Sequence, residues 1–266
     1  MEQRNRLFFY CQKDGITEKF LERLIHEARE HGFEPVPHHE EANIIISVGG
    51  DGTFLQAVRQ SRFRQNALYA GINTTKNSSL YCDFDLHSFD DFLHTILNEE
   101  MEVRKFPVIT TKVNDSTPFY CLNELTIRST IVKTIVINVY IDNKYFETFR
   151  GDGLVVATPT GSTGYNKSAN GAVVDPLLPS FQVSEIDSLN NNDYRTLGSS
   201  FILSKNRHLQ LEVIEQGNDH PIVSFDNEAF PIRKINNIEV YMEDLVVKTI
   251  KLKNNTYWDR VRRMFL

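Results

Sequence analysis

The chain has 266 residues, of which 41% are hydrophobic and 24% charged, and its formal net charge is −6. That apolar fraction suffices for a sizeable core in one large domain or two smaller ones, which excludes disorder as the main state. Apolar runs are short, as at Ile44-Ile45-Ile46, so no membrane-spanning helix of roughly 20 residues is expected.

Residues 7–11 (Leu-Phe-Phe-Tyr-Cys) read as a buried strand. Residues 17–31 place Phe20, Leu21, Leu24, Ile25 and Ala28 on one helical face, and Gly32 is placed to end that helix. Residues 43–48 read as a second buried strand that runs directly into Gly49-Gly50-Asp51-Gly52-Thr53, with a short helix following through Phe54, Leu55 and Val58. A third strand is expected at 68–72 and another amphipathic helix at 84–99. Alternating strand and helix predicts a parallel sheet with helices on its faces. From residue 101 strands dominate: 103–113, 119–128, 135–141, 144–150 and 153–158, then 201–203, 208–214, 221–225, 237–241 and 245–252. Ile141-Asp142-Asn143-Lys144 reads as a hairpin turn. The expected fold is an α/β N-terminal domain with a Rossmann-like parallel sheet over 1–100, and a β-rich domain over 101–266. The C-terminal segment is free to pack back on the first domain, and the site is expected in the cleft between the two.

Three stretches carry chemistry. In Gly49-Gly50-Asp51-Gly52-Thr53, glycines at a strand's end let backbone N–H groups approach an anion, and the helix that follows adds its positive end. Phosphate is the expected ligand, yet the stretch matches neither a Walker A loop nor GxGxxG. A carboxylate among phosphate-binding glycines needs a metal ion to hold or a proton to accept; otherwise Asp51 caps the next helix in a tight turn. Asn123-Glu124 pairs an amide with a carboxylate, suited to ribose hydroxyls and base edges, or is an ordinary surface pair. The third stretch runs from Arg150-Gly151-Asp152-Gly153 through a buried strand into Thr158-Pro159-Thr160-Gly161-Ser162-Thr163-Gly164-Tyr165-Asn166-Lys167-Ser168. This hydroxyl- and glycine-rich loop is expected at the surface, offering donors to phosphate and sugar.

Together these segments, in this order and at this separation, resemble the NAD kinase family, with a likeness to the short enzymes of Gram-positive bacteria that includes Tyr194-Arg195-Thr196-Leu197-Gly198-Ser199. The resemblance covers nearly the whole chain. It implies transfer of the γ-phosphoryl of ATP to the adenosine 2′-hydroxyl of NAD, giving NADP. It implies Asp51 as the catalytic aspartate that meets that hydroxyl and accepts its proton, and Gly49, Gly50, Gly52 and Thr53 as the turn for ATP phosphates. Asp51 and Gly52 would also touch NAD. Asn123 and Glu124 match the pair at the NAD adenosine, with Glu124 at the ribose. Arg150 and Asp152 match positions near the dinucleotide. Thr163, Gly164, Tyr165, Asn166, Lys167 and Ser168 match the loop at the dinucleotide. Asp187 and Asn227 stand where further pocket residues are expected. The chain departs from the family pattern at Gly164, where the family usually has Ala, and across residues 71–81, where family glycines are missing. There Tyr81 could supply an aromatic wall and Lys76 could reach a phosphate.

Mg²⁺ is implied by the ATP chemistry alone, since no cluster of His, Cys and carboxylates stands at ligand spacing; the His38-His39 pair reads as an exposed loop. The family implies a homo-oligomer, dimer or tetramer. The charge is uneven: residues 1–100 hold 10 basic and 16 acidic side chains, 101–266 hold 19 of each, and 248–266 hold six basic residues and one acid. No basic face for nucleic acid is expected. The basic stretch reads as a solvated edge or as a contact for phosphates or an acidic partner. Cys11, Cys82 and Cys121 are too scattered for a disulfide framework. With no secretory signal or membrane-docking helix visible, a cytoplasmic protein without membrane partners is expected. Two rivals remain: a lipid kinase, which shares the glycine turn, and a non-catalytic dinucleotide sensor.

Overall fold

The computed structural model describes residues 5–12, 17–75, 78–98, 101–214, 221–226, 228–230, 234–253 and 255–266. The chain divides into two compact units, 1–106 with 246–266, and 107–245.

In chain order the first unit contributes β1 (Arg6–Cys11), α1 (Thr17–Glu30), β2 (Glu34–Pro35), β3 (Ile44–Val48), α2 (Asp51–Gln60), β4 (Leu68–Asn73), β5 (Phe84–Asp85) and α3 (Phe89–Leu97). β2, β1, β3 and β4 lie side by side, all parallel, and β5 pairs with β4. All five residues of β3 are buried, as expected of a strand covered on both faces, which explains why four of the five are apolar. Ile44, Ile46 and Val48 face a cluster with Leu24 and Ala28 of α1 and Phe89, Phe92 and Ile96 of α3. On the alternate face, Tyr69 of β4 meets Phe54 of α2 edge to face, with ring centroids 6.2 Å apart. Gly32 ends α1 at φ +81, where the Phe33 N–H donates to the Ala28 carbonyl at 3.0 Å.

β6 (Glu102–Val113) leads into the second unit. There follow β7 (Phe119–Cys121), β8 (Glu124–Ser129), β9 (Ile135–Ile141), β10 (Lys144–Gly151), β11 (Gly153–Ala157), the short α4 (Tyr165–Ser168), β12 (Ser180–Ile186), β13 (Phe201–Ser204), β14 (Leu209–Ile214), β15 (Pro221–Phe225), β16 (Glu228–Phe230) and β17 (Asn237–Lys251). One antiparallel set runs β10-β9-β14-β17, the other β13-β12-β11-β8-β15-β16, and inward residues of both build one core that includes Ile137, Leu211, Leu154 and Val223. The hairpin between β9 and β10 turns on Asp142 and Asn143, both at positive φ (52° and 62°), as a type I′ turn requires. β17 pairs with β14 through Val240 and with β4 through Thr249, so the chain re-enters the first unit and closes with α5 (Tyr257–Phe265).

Three expectations are corrected, and two elements appear that none of them covered. Residues 84–99 are not one helix: the Asp85 carboxylate accepts the His87 and Ser88 N–H groups at 2.8 and 2.9 Å, and this turn delays α3 to Phe89. Residues 119–128 are two strands, and 237–252 are one, because its exposed middle (Glu243 and Asp244) stays extended despite its charge. The strand Ser180–Ile186 and the helix Tyr257–Phe265 were not expected at all. The helix has a local signal, a capping box in which Thr256 and Asp259 satisfy each other's backbone N–H. Among the described residues no helix is long and apolar enough to cross a membrane.

Candidate active site

In the first unit, β3 ends at Val48 and α2 begins at Asp51, with Gly50 as its N-cap. Asp51 therefore does not cap α2. Its carboxylate turns away from its own helix and accepts three hydrogen bonds from a segment about thirty residues on: from the Ser79 hydroxyl, from the Leu80 N–H at 2.9 Å and from the Tyr81 N–H at 2.9 Å. Gly49 must be glycine, since a Cβ there would collide with the Thr53 side chain. Gly52 is different: a Cβ would meet no described atom within 4 Å. The first-turn N–H groups of α2 have no intrahelical acceptor. Thr53 is buried at the same turn. Tyr81 does not supply an exposed wall: its ring stacks on Phe54 at 5.0 Å, meets Phe106 edge-on at 5.5 Å and is 2% exposed. Its backbone N–H is the group that donates to Asp51. Lys76 lies outside the described residues.

In the second unit, Asn123 and Glu124 stand where β7 gives way to β8. Asp226, buried in the turn between β15 and β16, accepts the N–H groups of Leu122 (2.9 Å), Asn123 (2.6 Å) and Glu124 (3.1 Å). These bonds break the expected single strand and fix the pair's orientation. Burial, and then the Asp226 carboxylate, push the Glu124 carboxyl up to about 8. Its Oε2 is buried without a hydrogen-bond partner. At neutral pH Glu124 is thus mostly a neutral acid with one O–H to give and acceptor capacity to spare.

The 158–168 stretch packs directly on this pair. The Thr158 N–H donates to the Asn123 carbonyl at 2.8 Å, and a Cβ on Gly161 would collide with that same carbonyl. Gly164 faces the Glu124 carboxyl: a Cβ would stand 3.2 Å from Oε2, so an alanine here presses on the acid. The expectation of a surface loop of free hydroxyls is corrected. Thr160, Ser162, Thr163 and Asn166 are buried, and most of their polar groups are used internally. Ser162 Oγ donates to the Pro159 carbonyl (2.5 Å) and accepts the Val174 N–H (2.8 Å), Thr163 Oγ1 donates to the Thr160 carbonyl (3.2 Å), and Asn166 Oδ1 accepts the Ser184 hydroxyl (2.7 Å). The outward members are Gly164, Lys167, Ser168 and, in part, Tyr165, whose ring lies 5.7 Å from the Arg128 guanidinium.

Arg150, Asp152 and Asp187 form a separate group. The Asp152 N–H donates to the Ile186 carbonyl (2.9 Å), and the Arg150 guanidinium lies 4.1 Å from the Tyr194 ring centroid. Glu124 pairs with Ala157 and Arg128 with Gly153, so along β11 Asp152 stands five residues from the level of Glu124, about 17 Å at roughly 3.3 Å per residue. Asn227 lies outside the described residues. Ser79 and Asp226 are the supporting residues that the motifs do not reveal. Among the described residues one group of potential metal ligands forms, His31, Asp90 and His94, with ligand atoms within 4.8 Å of one another; it joins residues nearly sixty positions apart, which spacing alone does not show.

Residues 122–252 match the model of the ATP-NAD kinase C-terminal domain. The chain is 58% identical over 266 residues to NAD kinase 2 of Oceanobacillus iheyensis, with full coverage of both. It is 51% identical over 265 residues to NAD kinase 2 of Bacillus subtilis, covering 100% of this chain and 99% of the relative. Among solved structures, yeast NADH kinase complexed with NADH superposes with a TM-score of 0.84 at 16% identity, over 99% of this chain and 88% of that one. An NAD kinase from Archaeoglobus fulgidus in complex with ATP gives 0.77 at 24% identity, over 97% and 99%. At those identities the structures share the fold, whereas the end-to-end identity above one half is a likeness of the whole sequence. On that likeness, this chain belongs to the NAD kinase family.

Proposed function

We infer that the chain is an ATP-dependent NAD kinase that phosphorylates the 2′-hydroxyl of the adenosine ribose of NAD to give NADP. The observation that carries the site assignment is the Asp51 carboxylate, held by three donors beside a helix start whose glycine leaves room for phosphate. Asp51 orients the 2′-hydroxyl and takes its proton as oxygen attacks the γ-phosphorus in line, the bond from that phosphorus to the β,γ-bridging oxygen breaks and ADP leaves; positioning and charge neutralisation supply most of the rate. Gly49, Gly50, Gly52 and Thr53 form the phosphate turn. Glu124 and Asn123 hold the adenosine, with Tyr165 and the outward members of its loop beside them.

Mg²⁺ fits this site as a guest carried by ATP rather than in a protein cage. Asp51 already accepts three hydrogen bonds, and Mg²⁺ keeps waters and phosphate oxygens as most of its ligands. When bound it supplies neutralisation of the triphosphate charge. A cytoplasmic homo-oligomer, dimer or tetramer, belongs to the same reading, and light scattering at assay concentration tests the assembly.

The direct test is NADP formation from NAD and ATP, coupled to an NADP-specific dehydrogenase. Turnover is expected, and dinucleotide binding without turnover would sink the reading. Gly52→Ala separates ligand from fold. An alanine fits the open space and is a better helix former, by up to ~1 kcal/mol, so the melting temperature should hold or rise. The KM for ATP should rise tenfold or more; an unchanged KM would leave Gly52 as a turn residue only.

A further inference from the structure

The basic stretch near the end of the sequence is not simply a solvated edge. Arg260, in α5, is 1% exposed and is the largest fully buried side chain among the described residues. Its guanidinium donates through Nη1 to the Leu80 carbonyl and pairs through Nη2 with Asp83, whose side chain is wholly buried. Asp83 is shared: Arg104 Nη1 lies 3.3 Å from its Oδ2, and Asn255 Nδ2 donates to its Oδ1 at 2.6 Å. Arg104 Nη2 in turn donates to the Asn255 carbonyl at 2.7 Å. Burial, and then the neighbouring Arg260 charge, pull Arg104 down to about 10, the mark of two guanidinium groups crowding one carboxylate.

Leu80 is the joint. Its N–H goes to Asp51 and its carbonyl to Arg260. On either side, the Ser79 hydroxyl donates to Asp51 while accepting the Cys82 N–H at 2.8 Å, and the Tyr81 N–H goes to Asp51. Residues 78–83 belong to no helix or strand, so no backbone ladder fixes them. Their position is held by these side-chain bonds and the Tyr81 ring, together with Ser78 Oγ on the Arg263 carbonyl at 3.4 Å and Cys82 Sγ on the Gly49 carbonyl at 3.7 Å. A buried ion pair is a weak source of stability compared with apolar packing. An arginine's planar fork is instead suited to holding two acceptors at a set angle.

We propose that Arg260 is a positioning residue for Asp51: through the Leu80 carbonyl and Asp83 it fixes the 79–81 segment whose donors aim the Asp51 carboxylate. The proposal rests on the reading of Asp51 as the group that meets the 2′-hydroxyl.

Arg260→Lys keeps the charge and its pairing with Asp83 but loses the fork. The expected result is a kcat lowered about 10–100-fold, since a displacement near 1 Å costs that order, with KM for ATP and for NAD within about twofold. In an Asp51→Asn background, read by an end-point NADP cycling assay, the same change should cost less than about twofold, because the arm it acts through is gone. Ser79→Ala serves as the second background where that rate is too low to read, and there the combined loss should fall short of the product of the single losses. Should Arg260→Lys not accumulate as folded protein, Arg260→Met with Asp83→Asn removes both charges together and is read in the same way. An unchanged kcat per folded molecule overturns the proposal. So does an equal fractional loss in both backgrounds, which is the pattern of a merely structural role. Near-normal turnover by Asp51→Asn alone overturns the reading of Asp51 instead.

Discussion

Asp51→Asn is expected to lower the kcat for NADP formation by about 10²–10⁴-fold, the usual worth of a positioned proton acceptor. The substitution keeps size and shape, and one amide oxygen can still accept from the 79–81 segment. The amide nitrogen cannot, so at least one of the three donors loses its acceptor. A donor left unpaired costs about 1–3 kcal/mol of stability, to be read as a modest fall in melting temperature. The two losses separate cleanly. Turnover per folded molecule, with ATP and NAD saturating, reports the chemistry, while the melting curve reports the orphaned donor. Turnover near that of the parent enzyme, together with the expected fall in melting temperature, would show Asp51 to be a structural anchor.

Glu124→Gln is expected to flatten the pH dependence of stability. The folded Glu124 carboxyl stands at about 8 against an ordinary 4.5, raised first by burial and then by Asp226. A group whose folded pKa lies above its unfolded value contributes stability that is fully present below the unfolded pKa, near 4.5, and is lost as pH rises through about 8. Each unit of separation is worth about 1.4 kcal/mol, so the contribution lost by pH 9 is on the order of a few kcal/mol. At about 2–4 °C per kcal/mol for a chain of this size, melting curves from pH 5 to 9 resolve it. The parent protein should lose ground steadily to Glu124→Gln between about pH 5 and pH 8 and hold level above that, because glutamine keeps the shape and has no proton to lose. Parallel profiles would mean that Glu124 is solvated and ionised at neutral pH. The same ionisation should matter for substrate: a charged Glu124 beside Asp226 has no O–H to give the ribose, so the KM for NAD should rise as pH passes through about 8.

The α/β character of the first unit is legible because Ile44–Val48 is a mostly apolar, β-branched run emptied into glycines, a pattern with one common structural meaning. The hairpin at Asp142-Asn143 is legible for the same kind of reason, as short polar residues tolerate positive φ. What holds the candidate site is not. Asp51 finds its partners at 79–81, Glu124 its neighbour at 226, and Arg260 its partners at 80 and 83; no periodicity or spacing links positions so far apart. Composition also misleads at 158–168, where polarity suggests an exposed loop. The hydroxyls there are buried because backbone carbonyls of the same turn accept their protons. Tyr81 errs in the other direction, as an aromatic expected at a pocket wall whose ring belongs to the core. The helix Tyr257–Phe265 is hidden by its charges, although its capping box is plain in the sequence.

The first unit is not contiguous: 246–266 join 1–106 after the chain has built 107–245. On the ribosome, where domains tend to fold as units in the order they emerge, the second unit can close while the glycine turn still waits. The nascent chain exposes Asp51 early, but the guanidinium that braces its clamp arrives some two hundred residues later. A premature stop or a frameshift before residue 260 would therefore spare most of the β-rich unit and still release a product whose phosphate turn has no brace.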